Sequence, residues 1–245
     1  MLLRILQQSN GIGVVLICTI LAACGPRANI PPRPIALDLP GVLDAKDEGS
    51  SLARSLAPVL FLQRDETFAL ERVVAVLHPD KRIIAYHLLW RDDAHGAWIP
   101  FTTATDQEIV WVGYDTTGAP EQLWTYWHGK VLHTDWRERG TVLVDVQWGK
   151  HGSLPRHVVE SDLPTFGKMN AFYAFAWLGI WDIWLGTLTR PGPSCFCHGY
   201  GRYREFTKPL LLGERIDVIA RLENPQPVLS AVFGKYSRKD PWPRS

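Results

Sequence analysis

From Pro58 onward the apolar residues of this chain come in short runs parted by turn residues, a spacing that suits strands and leaves little room for long helices. Val59-Leu60-Phe61-Leu62 is a short buried run. Residues 72–77 and 82–90 are rich in β-branched, aliphatic and aromatic side chains, and His78-Pro79-Asp80-Lys81 between them predicts a hairpin. Residues 108–114 and 121–127 predict a second hairpin about Thr116-Thr117-Gly118-Ala119-Pro120. Residues 141–148 alternate, with Val142, Val144, Val146 and Trp148 on one face and Asp145 and Gln147 on the other, as in a half-buried strand. Strand-like runs return at 210–212, 216–222 and 228–233. No internal repeat is present.

Residues 170–185 differ in period. Tyr173, Trp177, Trp181 and Trp184 recur at helical spacing, with Phe172 and Phe175 nearby. The segment is too short to span a bilayer. A helix lying in the membrane interface usually carries Lys or Arg on its polar face, whereas Asp182 is the charge here. The segment therefore predicts an aromatic helix packed on a sheet. The fold class expected is mainly β: a single β-sandwich with one aromatic helix against it.

The N-terminus carries a different signal. Arg4 precedes an apolar run over 11–21, which ends in Leu21-Ala22-Ala23-Cys24. That pattern predicts a bacterial lipoprotein signal over 1–23, cut before Cys24, with Cys24 lipidated. The alternatives are an ordinary signal peptide and an uncleaved anchor. Gly25, rather than Asp, follows the cysteine, which favours the outer membrane in a Gram-negative envelope. Residues 24–41 hold prolines at 26, 31, 32, 34 and 40 and predict an extended tether. Residues 42–245 remain for the globular domain, entered through a charged, weakly helical stretch at 44–57.

Charge and cysteine usage narrow the partners. Lys and Arg number 26 against 25 Asp and Glu, and Arg4 leaves with the signal, so the mature chain is neutral overall. A nucleic-acid partner would need a basic surface. Eleven tryptophans and nine phenylalanines supply a core, and also suit a surface that faces glycan or membrane. With Cys18 and Cys24 spent on the signal and the lipid, Cys195 and Cys197 remain, in Ser194-Cys195-Phe196-Cys197-His198. They could form a strained disulfide, or hold a soft metal with His198. Two semi-buried thiols is the favoured reading.

The residues able to carry chemistry cluster around the second hairpin. Asp106 and Glu108 lie two apart, so their carboxylates share one face of a strand. A hairpin centred on residue 118 pairs positions summing to about 236, which sets Glu108 opposite His128 and Asp106 opposite Lys130. A slip of one residue would put His128 on the other face. Meander order would bring His151, in Gly149-Lys150-His151-Gly152-Ser153-Leu154-Pro155, to an end of the same sheet. Asp106, Glu108, His128 and His151 together make an oxygen and nitrogen set suited to calcium, magnesium, manganese or zinc. The plainer alternative is two surface carboxylates and two satisfied histidines. Other candidates are slighter. His133-Thr134-Asp135 could supply two ligands on one face, and reads equally well as an exposed loop after a hairpin. Ser153 lacks the surroundings of a nucleophile elbow. His87 and His198 read as structural, and Arg202, Arg204 and Lys208 as a solvated strand face.

The order of these residues resembles two related groups, the vacuolar-protein-sorting-62-like family and the necrosis- and ethylene-inducing-peptide-like proteins. The resemblance rests on Asp106-Gln107-Glu108 leading into Ile109 to Asp115, then Gly118-Ala119-Pro120, Tyr126-Trp127-His128-Gly129 and Gly149 to Pro155. Ala57-Pro58-Val59-Leu60-Phe61 and Asp65-Glu66 also look like the opening segment of the first group. It covers about residues 57–155. It implies a β-sandwich and, by likeness to the second group, a cation held by acidic and His residues at a site for glycolipid head groups. Asp106, Glu108 and His128 match that motif, and His151 matches the first group's. The chain departs from it where Thr102-Thr103-Ala104-Thr105 stands in place of histidines and Gln107 in place of Trp.

Three functions follow as expectations. The first is a lipid-anchored binding module for a glycan or glycolipid head group, with Trp111, Trp124 or Trp127 stacking on sugar and a divalent cation assisting. The second is a metal-assisted hydrolase built on the same residues. The third is a structural envelope lipoprotein with no site.

Overall fold

The computed structural model describes residues 38–63, 66, 68–91, 106–127, 129–147, 151–156, 206–234 and 239–243. The signal, Cys24, most of the tether, the aromatic segment 170–185, Cys195, Cys197 and His128 lie outside these residues.

Helix α1 (Glu48–Ser55) begins at Asp47, whose carboxylate accepts a hydrogen bond from the Gly49 amide at 2.7 Å. Its far end meets the sheet through Tyr86, whose hydroxyl donates to the Ala53 carbonyl at 2.8 Å, one of the carbonyls a helix end leaves open. Ten strands follow among the described residues: β1 (Val59–Gln63), β2 (Leu70–Leu77), β3 (Ile83–Trp90), β4 (Asp106–Tyr114), β5 (Pro120–Trp127), β6 (Lys130–Asp135), β7 (Leu143–Val146), β8 (Ser153–Pro155), β9 (Phe206–Leu211) and β10 (Val218–Arg221). Helix α2 (Gln226–Phe233) comes last. No helix among the described residues is long and apolar enough to cross a membrane.

The strands form a four-stranded sheet in the order β8-β7-β1-β9 and a six-stranded sheet in the order β10-β2-β3-β4-β5-β6. One apolar core lies between them. Leu60 and Leu62 of β1 and Val144 and Val146 of β7 meet Val73, Ala75, Tyr86, Leu88, Trp90, Val110 and Val112 of the larger sheet. A second core lies on the larger sheet's outer face. There Val74, Val76, Ala85, Leu89, Ile109 and Trp111 pack with Val228, Leu229, Val232 and Phe233 of α2. Every residue of β3 is therefore buried, with apolar layers on both sides.

The first predicted hairpin forms as expected. His78 Nδ1 accepts the Asp80 and Lys81 amides at 3.0 and 3.1 Å and fixes the turn. The second hairpin is built around Asp115. Its carboxylate accepts from the Thr117 hydroxyl at 2.6 Å and from the Thr117 and Ala119 amides, while Gly118 takes a φ of 83° that favours glycine. Its register differs from the sequence expectation by one residue. Val110 pairs with Thr125, Trp111 with Trp124 and Val112 with Leu123, because the pairing shifts between Gly113 and Tyr114 to reach Pro120. Continued toward Glu108, this register sets Trp127 rather than His128 opposite it.

Four further expectations are corrected. Residues 228–233 are helical. Prolines 225 and 227 sit at the helix start, where their missing amides cost nothing, and the four buried residues recur with helical period. The β-branched valines disguise this in the sequence. His133-Thr134-Asp135 belongs to the edge strand β6, whose exposed alternation lacks an apolar run. Meander order also fails at β7, which leaves the larger sheet and pairs in parallel with β1. Its second face is not solvated either, since Asp145 and Gln147 are buried and Asp145 pairs with Arg156 at 2.7 Å.

The outer core should contribute to cooperative folding. Phe233→Ala is expected to cost about 3–5 kcal/mol, read as a lowered urea midpoint. A loss below about 1 kcal/mol would mean that α2 is not part of the cooperative unit.

Candidate functional site

At one end of the sandwich, ionisable side chains from separate segments gather around His151. Its backbone sits in the β7–β8 turn. The His151 amide donates to Gln147 O at 3.0 Å, the Gln147 amide to Gly152 O at 2.9 Å, and His151 takes a φ of 51°, rare for a residue with a side chain. Gly152 is required there, since a Cβ would lie 2.9 Å from the Trp127 ring. This tight turn carries the imidazole from the smaller sheet against the larger one.

The ring is fully buried. It stacks on Trp90, centroids 4.2 Å apart and planes 5° from parallel, and meets Phe68 edge-on. Nδ1 lies 3.1 Å from Asp106 Oδ2, and Nε2 lies 3.7 Å from Glu66 Oε1. Trp90 and Asp106 are cross-strand partners on β3 and β4, which explains how the ring touches both. Glu66 is held in turn by the Phe68 amide, which donates to Oε1 at 2.8 Å. Burial opposes a charge on the ring. The Asp106 hydrogen bond and the Glu66 carboxylate outweigh it and lift His151 to about 9.

Glu108 is the second buried acid. Burial raises its pKa, the Lys239 ammonium 2.7 Å from Oε1 lowers it, and the nearby Asp106 charge raises it, for a balance of about 8. Oε2 is buried without a hydrogen-bond partner. Lys239 also lies over the Tyr126 ring, 4.1 Å from its centroid. His87, paired with Ile109 on the sheet's outer face, is buried with neither ring nitrogen hydrogen-bonded. Burial, and then the Lys239 charge, holds it down to about 3.

Of the residues singled out from sequence, Asp106 and His151 are in contact, and Glu108 is coupled electrostatically to both. His128 lies outside the described residues. Among the described residues, no group of three or more His, Cys, Asp or Glu is placed to hold a metal ion. Nor do the residues near Glu108 fit a divalent cation as they stand. Lys239 occupies one oxygen of Glu108, and both imidazole nitrogens of His151 face carboxylates.

Of the three tryptophans expected to stack on sugar, two are enclosed. Trp127 is enclosed against Gly152. Trp111 is enclosed on the opposite face of the sheet, with its Nε1 donating to Pro241 O at 2.7 Å. The one-residue change of register separates these two rings, which the expected pairing put on one face. Trp124 is half-buried and stacks on His133 at 4.8 Å. Sequence reasoning missed Lys239, Trp90 and Phe68, and met Glu66 solely as part of a resemblance. For Glu66 the adjacent acidic pair after an apolar run was a usable signal. For Lys239, far along the chain, there was none.

No protein-family model and no curated protein sequence matches the chain. Solved structures similar to it include NLPPya, a necrosis-inducing-peptide-like protein, in complex with glucosamine and in complex with mannosamine. Each has a TM-score of 0.36 and 13% identity, covering 51% of this chain and 74% of the other. The likeness is a distant one to the second group named from the sequence, too loose to carry ligand or mechanism across.

The two raised groups act on stability in the same direction. The folded protein binds protons at His151 and Glu108 that the unfolded chain releases nearer 6.5 and 4.5. Their stabilising contributions are therefore full below those ordinary values and are lost as pH rises through about 8 and 9. His87 is neutral in both states over that upper range and adds nothing there. Urea midpoints of the wild type should fall steadily between about pH 6.5 and 9. His151→Asn, which tolerates the left-handed backbone, should flatten part of that slope, and Glu108→Gln the rest. A flat wild-type profile would refute the coupling.

Proposed function

We propose that the protein is a lipid-anchored cell-envelope binding module that takes the polar head of a glycan or glycolipid at the end of the sandwich around Asp106. The observation that carries this reading is the convergence of Glu66, Asp106, Glu108, His151 and Lys239 from separate segments onto one place. Burying charge is costly, and a fold that needed only a closed end would close it with apolar side chains. Clusters of buried, mutually shifted groups are characteristic of sites that meet a ligand. Asp106 is the cluster's outlet, with 17% of its side chain exposed. Its carboxylate suits sugar hydroxyl or amino groups, both of which donate hydrogen bonds.

Binding is favoured over hydrolysis by His151 itself. An imidazole held protonated at neutral pH has no lone pair with which to take a proton from water. The Ser153 hydroxyl donates to the His151 carbonyl, so Ser153 does not serve the ring as a nucleophile.

The anchor rests on the sequence around Cys24 and the tether behind it. One pair of measurements checks both halves. Cys24→Ser should move the protein from membranes to the soluble fraction and abolish acyl labelling. The purified domain, screened against neutral, amino and acidic sugars, should bind one class. Asp106→Asn and His151→Asn should weaken that binding by about tenfold or more. No sugar bound by the wild type, or equal binding by folded variants, would remove the glycan reading and leave the anchor standing.

A further inference from the structure

Glu66, Asp106 and Glu108 each need positive charge or a proton to remain buried. Glu66 and Asp106 share the ring of His151. Glu108 has the ammonium of Lys239 at 2.7 Å, while its buried Oε2 has no hydrogen-bond partner. The segment that delivers Lys239 is itself pinned. Trp111 Nε1 donates to Pro241 O at 2.7 Å, Trp242 Nε1 donates to Glu223 O at 2.6 Å, and the Trp242 ring meets His78 at 4.8 Å. Tyr126 covers the ammonium from the β5 side. A cation held by three tryptophan-mediated contacts and an aromatic face is part of the fold, not a passing surface pair.

We infer that Lys239 is the built-in cation of Glu108, holding the carboxylate oxygen that a divalent metal would otherwise take. A single positive charge on a tethered stem replaces a diffusible ion, so the site is complete without metal. The inference concerns the same cluster as the proposed glycan site and deepens it, since sugar binding there should survive a chelator. Its direct test does not involve a sugar.

Manganese, magnesium and calcium are titrated into the wild type, Lys239→Arg and Lys239→Met, with manganese followed by electron paramagnetic resonance. Wild type and Lys239→Arg should bind no ion below millimolar concentration. Lys239→Met leaves Glu108 without its cation, beside Asp106, and should bind one ion at least about tenfold more tightly. The inference is overturned if the wild type binds an ion as tightly as Lys239→Met, or if a folded Lys239→Met binds none. Should Lys239→Met not fold, acetylation of Lys239 read by peptide mass spectrometry decides. It should be slow in the wild type and about tenfold faster in Glu108→Gln, and equal rates overturn the inference. A protein that shows the expected ion pattern but binds no sugar loses the glycan reading and keeps its resident cation.

Discussion

The imidazole of His151 joins the two sheets at the end where the candidate site lies. Its backbone belongs to the turn between β7 and β8, while its ring rests on Trp90 and bonds Asp106, on the facing sheet. Apolar packing holds the rest of the sandwich, and packing tolerates small changes of partner. A buried charge tolerates far less, because removing one partner strands the other at a cost of about 3–5 kcal/mol. The positions of Glu66, Phe68, Trp90, Asp106 and the Gly152 turn are thus tied to one ring. Even the left-handed backbone at His151 follows from this demand, since the turn must carry a long side chain across to the facing sheet.

The Glu108–Lys239 contact is arranged on a different principle. Glu108 and Lys239 meet through a segment held by indole hydrogen bonds, so tryptophans that suggested a sugar-binding surface instead work as struts. Trp111 spends its polar handle on Pro241, and Trp242 spends its own on Glu223. These two tryptophans help to close the outer face. The two pairs are coupled: Asp106 raises the cost of charge on Glu108, while Lys239 and His151 lower it. A ligand that touches Asp106 would be felt by every member of the cluster.

Much of the fold was legible because strand pairing by turn is local. The turns at His78 to Lys81 and at Asp115 to Ala119 announce themselves by composition, and both hairpins form. Register was less legible. The shift between Gly113 and Tyr114 is a single-residue irregularity, and one residue is enough to exchange Trp127 for His128 opposite Glu108. Helix α2 was read as a strand because valines at 228 and 232 suit either state, and it is the apolar sheet beneath that selects the helix. The contact of Asp106 with His151 was anticipated through meander order and is realised by another route, with β7 paired to β1 in parallel.

What the sequence by itself determined is the class of elements: short strands parted by turn residues, and an acidic pair on one strand face. These are local patterns, readable from neighbours in the chain. What only the tertiary structure decided is which charges share a space. Glu66, His151 and Lys239 stand far apart in the chain, and no periodicity links them. They meet because two apolar cores stack a small sheet and a helix on opposite faces of the larger one, and because charge buried at its end must be neutralised by whatever the chain brings there.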